Sequence, residues 1–451
     1  MAESSRMSAI NVDEVLNRKL SSFQTWAIIV CALAAIFDGF DIQSINILVP
    51  AISQSLHIPI FSFGTIISVG WFGVMIGSVI AGPIADRSGR RVPVIISVFV
   101  FGIFTLLLSR ANTYNELLIY RFLTGLGLGG VLPNVLALTS EYAPRRIRGR
   151  VMMMMFSGIP SGAVIAALLG SVIVPTWGWR VFLYIGGILP IALALVLIAA
   201  LPESLMFMVT KGAEPGRIAR LINRVAPDLA CSEKDRFALT EAPHKGAPIR
   251  SLFVEGRAST TILVWVIYFM NFLVFMFPYT WLASILRMAG LPLSKALMLT
   301  SLFALGGIIG QWVNGFFMDR FGIRGPLIIY SFLCFVFMVI FGLIAGTKSI
   351  GLLSVVIFLV GAFINGAQGG NNVLAASLYP TNVRSTGLGF AFTVGRVGSI
   401  ISPAVGGMMM AAHWSFPRMF FLAGLPAVIG AIAIIAIRAA RQQPTQASVH
   451  A

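Results

Sequence analysis

The chain has 451 residues, 57% of them hydrophobic and only 11% charged, and a mean hydropathy of +0.91. A soluble domain carries roughly 25% charged residues, so a string of water-soluble domains is excluded, and the apolar content excludes disorder. The net charge of +16 comes with no basic stripe or aromatic-basic module, so nucleic-acid binding is not expected. The three cysteines, Cys31, Cys231 and Cys334, have no ligand spacing, and neither a disulfide framework nor a metal site is expected.

In chain order, residues 1–20 are polar and carry no cleavable leader pattern. Twelve segments then meet the requirement of about 20 apolar residues for crossing a bilayer. They are 23–49, 60–85, 92–109, 114–138, 151–174, 181–201, 258–281, 296–318, 325–346, 350–373, 387–411 and 417–437. An even number places both termini on one side. On that basis 24 Lys/Arg fall in loops on the terminal side and six on the other. Basic loops stay inside, so both termini are expected in the cytoplasm of a bacterial-type inner membrane. Residues 202–257 hold nine Lys/Arg and no span and divide the chain. The expected organisation is a six-helix bundle over 1–201, a cytoplasmic linker over 202–257, and a second bundle with a cytoplasmic tail over 258–451. Within the linker, 216–225 reads as a basic amphipathic helix, lying along the inner membrane surface or simply solvated.

Four charged residues remain inside predicted spans: Asp38, Asp41, Arg121 and Arg396. Such a placement costs about 2.5–3.5 kcal/mol on insertion scales, so these are the first candidates for chemistry. Asp38 and Asp41 share a helix face with Cβ atoms roughly 5–6 Å apart. Two like charges that close in low dielectric do not both stay ionised, which suits a proton-coupled carrier; a polar cap or an interhelical hydrogen bond is the structural alternative. Arg121 either snorkels to the nearer surface or pairs with a first-span acid, with Gly125 and Gly129 giving its helix room to pack. Arg396 lies deeper, where it could grip a carboxylate. The tenth span carries Asn365, Gln368 and Asn372 on one stripe, with Asn371 facing about 100° away. These amides could orient a substrate or glue helices together. The seventh span offers Tyr268, Asn271, Phe275 and Tyr279 to an aromatic ring, and Trp281 reads as an interfacial belt residue. No P-loop is present and Gly125–Gly130 follows no strand, so neither ATP-driven transport, an enzyme nor a cofactor is expected.

The halves repeat. Gly82-Pro83-Ile84-Ala85-Asp86-Arg87-Ser88-Gly89-Arg90-Arg91 returns as Gly315-Phe316-Phe317-Met318-Asp319-Arg320-Phe321-Gly322-Ile323-Arg324, at an offset of 233. Pro144, Ile147 and Arg148 return as Pro380, Val383 and Arg384 at an offset of 236. Two motifs at nearly one offset mean parallel repeats. These motifs resemble the signature loops of the major facilitator superfamily. Asp38-Gly39-Phe40-Asp41, the glycine run after Arg121, Tyr379-Pro380-Thr381 and Gly395-Arg396 further resemble its aromatic acid:proton symporters.

The resemblance implies an all-α membrane protein with twelve transmembrane helices in two bundles, importing aromatic carboxylates such as hydroxybenzoate, benzoate or phenylpropanoid acids. It implies protons as coupling ion, alternating access and a functional monomer in the lipid bilayer. Asp86, Arg87, Gly89 and Arg90 with Glu141 and Arg148, and Asp319 with Arg320 in the second half, would form a latch between bundles. Another organic-anion importer, an exporter, or a sensor that binds aromatic acids without carrying them are the alternatives. Gly158-Ile159-Pro160-Ser161-Gly162 matches an exporter pattern only in part.

Overall fold

The computed structural model describes residues 10–239, 249–254, 256–347 and 349–442. After β1 (Ile10–Asn11) and α1 (Val12–Leu16), the first half comprises α2 (Ser22–Leu56), α3 (Phe63–Ser88), α4 (Arg91–Leu108), α5 (Tyr114–Tyr142) and α6 (Arg148–Ala200). A connecting stretch holds α7 (Leu205–Thr210), α8 (Pro215–Val225) and β2 (Phe237–Ala238). The second half comprises α9 (Ala258–Met288), α10 (Leu293–Phe321), α11 (Arg324–Ile344), α12 (Ile350–Leu378), α13 (Thr381–Ala411) and α14 (Phe416–Gln442).

Eleven of the described helices are long and apolar enough to cross a membrane. One, α6, has 53 residues; at 1.5 Å per residue that is about 80 Å, far beyond a hydrocarbon core of about 30 Å. It breaks at Gly178, whose φ of 84° and ψ of 166° lie outside the helical range, so α6 is two membrane arms and the spans number twelve. Local chemistry sets several starts. Ser21 and Gln24 form a reciprocal capping box ahead of α2, and Thr113 accepts from the Glu116 amide ahead of α5.

The repeat seen in sequence is also conformational. Gly89 after α3 and Gly322 after α10 both take positive φ, 87° and 80°, with ψ near 170°. Only glycine adopts that region readily. Arg148 donates Nε to the Ala143 carbonyl at 3.3 Å, and its repeat partner Arg384 donates Nε to Tyr379 at the same 3.3 Å. Within each half, small residues let helix backbones touch: Gly125 meets Gly70 across α5 and α3, and Gly361 meets Phe303 across α12 and α10.

The connecting stretch departs from the sequence expectation of a helix laid on the membrane. The apolar face of α8 (Ile218, Ala219, Ile222, Val225) is buried in one cluster with Val12, Val15 and Leu16 of α1. β1 pairs in parallel with β2, and Arg18 reaches Asp228 at 2.8 Å. The residues before the first span, polar on average, hold enough apolar side chains at helical spacing to cover α8, leaving Arg217, Arg220 and Arg224 exposed.

The two halves meet through α3 with α13, α6 with α10, and α2 with α9. Gly64 abuts Pro403 and Ala404, Gly407 abuts Phe61, and Gly170 approaches Leu297. All of these lie toward the membrane face opposite the connecting stretch.

Candidate functional site

The charged residues of the spans converge between the halves. Asp41 of α2 is 2% exposed, and both its oxygens are occupied. Arg121 of α5 donates Nη1 to Oδ2 at 2.9 Å, and Thr105 of α4 donates its hydroxyl to Oδ1 at 2.5 Å. Arg121 is itself 4% exposed, so it does not snorkel. Its stem crosses α3 at Gly70, where a Cβ would stand 2.9 Å from Arg121 Cγ. Glycine there leaves the channel through which a side chain two helices away reaches α2.

Asp38, one turn before Asp41, is 3% exposed and makes no hydrogen bond or ion pair among the described residues. It lies within electrostatic reach of Asp41, Arg121 and Arg396. Arg396 is half-buried on α13 and donates Nη1 to the Ser78 hydroxyl of α3, a bond between the two halves. Tyr279 of α9 completes the group. Its ring stacks on Phe275 at 5.0 Å and meets Phe303 edge-on at 6.4 Å, and its buried hydroxyl has no partner among the described residues. Asp38 and Arg121 are its charged neighbours.

The amide stripe divides. Asn372 accepts from the Tyr268 hydroxyl at 2.8 Å, tying α12 to α9. Gln368 keeps a buried Oε1 with no partner among the described residues. Asn365 donates to the Gly361 carbonyl of its own helix at 3.0 Å and packs against Gly307 of α10. Asn271 lines a small cavity inside the second half with Asn371, Ser331 and Cys334. Trp281 is fully buried and donates Nε1 to Pro403 at 3.3 Å. The belt expected from its place near a span end is thus replaced by packing of α9 on α13.

At the face bearing the connecting stretch, Glu141 pairs with Arg90 at 3.1 Å and accepts from the Ser204 hydroxyl. Glu203 accepts from the amides of Arg90 at 2.9 Å and Ser204 at 2.8 Å. A carboxylate therefore sits at the N-terminus of α4, where the helix dipole favours it, and Gly89 is small enough to admit it. Asp86, Arg87, Asp319 and Arg320 are exposed. Among the described residues, neither aspartate makes an ion pair, and Arg320 lies over the Phe321 ring at 5.6 Å.

Thr105, Ser78 and Gly70 belong to these networks and were not singled out by spacing. A lone hydroxyl or glycine in an apolar span carries no sign of which neighbour it meets.

A buried ion pair inside one of two parallel six-helix repeats, with an arginine of the other repeat reaching across the seam, is the build of a secondary transporter. The Major Facilitator Superfamily model matches residues 31–403, and the chain belongs to that family of membrane transporters; it is not an enzyme. It is 33% identical to the 4-hydroxybenzoate transporter PcaK of Acinetobacter baylyi, over 95% of this chain and 94% of that one. It is 34% identical to a gallate transporter of Pseudomonas putida, over 96% of each chain. Among solved structures, a D-xylose-proton symporter superposes with a TM-score of 0.73, covering 92% of this chain and 97% of that one at 18% identity.

Proposed function

We propose that the protein imports aromatic carboxylates by proton symport, working as a monomer in a bacterial-type cytoplasmic membrane with both termini inside. The observation that carries this reading is the charge arrangement at the seam. Among the described residues, an acid with both oxygens occupied (Asp41), an acid with none occupied (Asp38), and an arginine of the other half bonded to a hydroxyl alone (Arg396) lie together beside stacked aromatic rings. Arg396 offers a planar two-donor fork to a carboxylate, and the Phe275–Tyr279 wall offers a flat apolar surface to a ring. The relatives that transport 4-hydroxybenzoate and gallate support the substrate class. With the close glycine contacts between the halves gathered toward the opposite face, and Asp86 and Asp319 at the ends of α3 and α10 in no ion pair among the described residues, the conformation is read as open toward the cytoplasm.

The test is uptake by purified protein in proteoliposomes, with labelled aromatic and aliphatic carboxylates and an imposed proton gradient. Accumulation of hydroxybenzoate-type acids, abolished by a protonophore, is the expected result. Facilitated equilibration without accumulation would overturn the symport, and preference for aliphatic acids would overturn the substrate class.

A further inference from the structure

We propose that the two acids of the first membrane helix have separate tasks: Asp38 takes up and releases the transported proton, whereas Asp41, fixed by Arg121 and Thr105, stays ionised and positions the site. The inference rests on the symport reading above and goes beyond it by assigning the carrier group, a positioning residue and a stoichiometry.

The argument is one of hydrogen-bond occupancy. Asp41 receives a guanidinium donor on one oxygen and a hydroxyl donor on the other. A proton added there would neutralise the charge that balances Arg121 and leave that guanidinium buried without its counter-ion. Asp38 is as deeply buried, and no donor reaches it among the described residues. A carboxyl in that position can hold a proton without breaking any bond. The charged and titratable groups that face it are Asp41 on its own helix, Arg121 from α5, Arg396 from α13 and Tyr279 from α9.

Of these, Arg396 is the one cation not already committed to an acid; its bond is to the neutral Ser78 hydroxyl. It therefore has two exclusive anionic partners, the substrate carboxylate and ionised Asp38. When substrate takes Arg396, a water-borne proton from the outer side resides on an Asp38 oxygen. When substrate leaves toward the cytoplasm, the Asp38 O–H bond breaks and its proton passes to water on that side. The resulting carboxylate then draws Arg396 away from Ser78, ready for the return. One proton accompanies one carboxylate, so the cycle moves no net charge.

The experiment separates net accumulation from counterflow, the exchange of labelled for unlabelled substrate, which needs no net proton movement. A gradient of one pH unit sustains about tenfold accumulation at one proton per carboxylate, and membrane potential alone sustains none. Asp38→Asn should reduce accumulation to equilibration while counterflow continues at a reduced rate that no longer varies with pH. Asp41→Asn should abolish both. Thr105→Val should displace the pH profile of counterflow, and Thr105→Ser, which keeps the donated hydroxyl, should restore it.

A second readout needs only acidic side chains. The infrared band of a protonated carboxyl should shift in Asp38→Glu and stay in place in Asp41→Glu. Accumulation driven by an interior-negative potential alone, or counterflow surviving in Asp41→Asn while Asp38→Asn still accumulates, would overturn the assignment. Either result leaves the symport reading standing. Native protein that accumulates no aromatic acid under any gradient would instead defeat the symport reading itself.

Discussion

Arg396 and Arg121 are chemically identical, and their surroundings give them different tasks. Arg121 is committed to Asp41 in a fully buried pair; breaking such a pair from one side costs about 3–5 kcal/mol because the other charge stays buried alone. Among the described residues, Arg396 is held by Ser78 alone. Arg396→Lys replaces a planar fork by a point charge and should weaken apparent affinity for the acid by about 1.5–3 kcal/mol, the range for a hydrogen bond to a charged group. An uncharged ester of the same ring should lose far less, as competition binding would report. Equal losses for acid and ester would move the carboxylate contact elsewhere. Gly70→Ala is a subtler probe. The added methyl stands against Cγ and Nε of Arg121 at 2.9 Å and should push the guanidinium off Asp41. Transport should fall and thermal stability with it, since the pair it disturbs is buried; an unaffected transport rate and Tm would show that the stem has another route.

At the scale of elements, one helix end and one short helix depend on residues far along the chain. The first turn of α4 is capped by Glu203, more than a hundred residues later, which also holds Ser204. Glu203→Gln removes the charge that the helix dipole favours, and should lower stability by about 1 kcal/mol, visible as a lower Tm in detergent. The α1–α8 contact gives a second prediction. Val15 is 4% exposed against the apolar face of α8, and Val15→Asp places an unpaired charge there. Limited proteolysis ahead of Ser22 should then accelerate, with the membrane helices left intact. Unchanged cleavage would mean that α1 is not held by this contact.

For the whole molecule, the strong bias of basic residues predicts the orientation, and the open loops predict accessibility. A cysteine introduced at exposed Lys211 should react with an impermeant thiol reagent only in inside-out vesicles, and one at exposed Arg110 only in intact cells. The reverse pattern would invert the topology. Cysteines at Asp86 and Asp319 should both label from the Lys211 side, and labelling should drop when the carrier is driven to the other conformation.

The amino-acid sequence by itself determined the twelve spans, because each must be apolar over about 20 residues to cross hydrocarbon, and that requirement is local. It also carried the repeat, since a Gly at positive φ and an Asp-Arg turn leave the same residue pattern wherever they recur. It exposed the four charges inside spans, because burying charge is costly enough to stand out in an apolar run. What it did not contain is which neighbour each polar group meets. The partners of Asp41 come from α4 and α5, 64 and 80 residues away. Asp38, three positions earlier, turns by about 60° around the same helix and meets neither. Asn365 and Asn372 lie on one stripe, yet one bonds within its own helix and the other across to Tyr268. Trp281, near a span end like any belt residue, is buried by α13. Periodicity assigns a residue to a face of its helix, but tertiary packing alone decides what stands opposite that face, and at this seam that difference separates a committed acid from a free one.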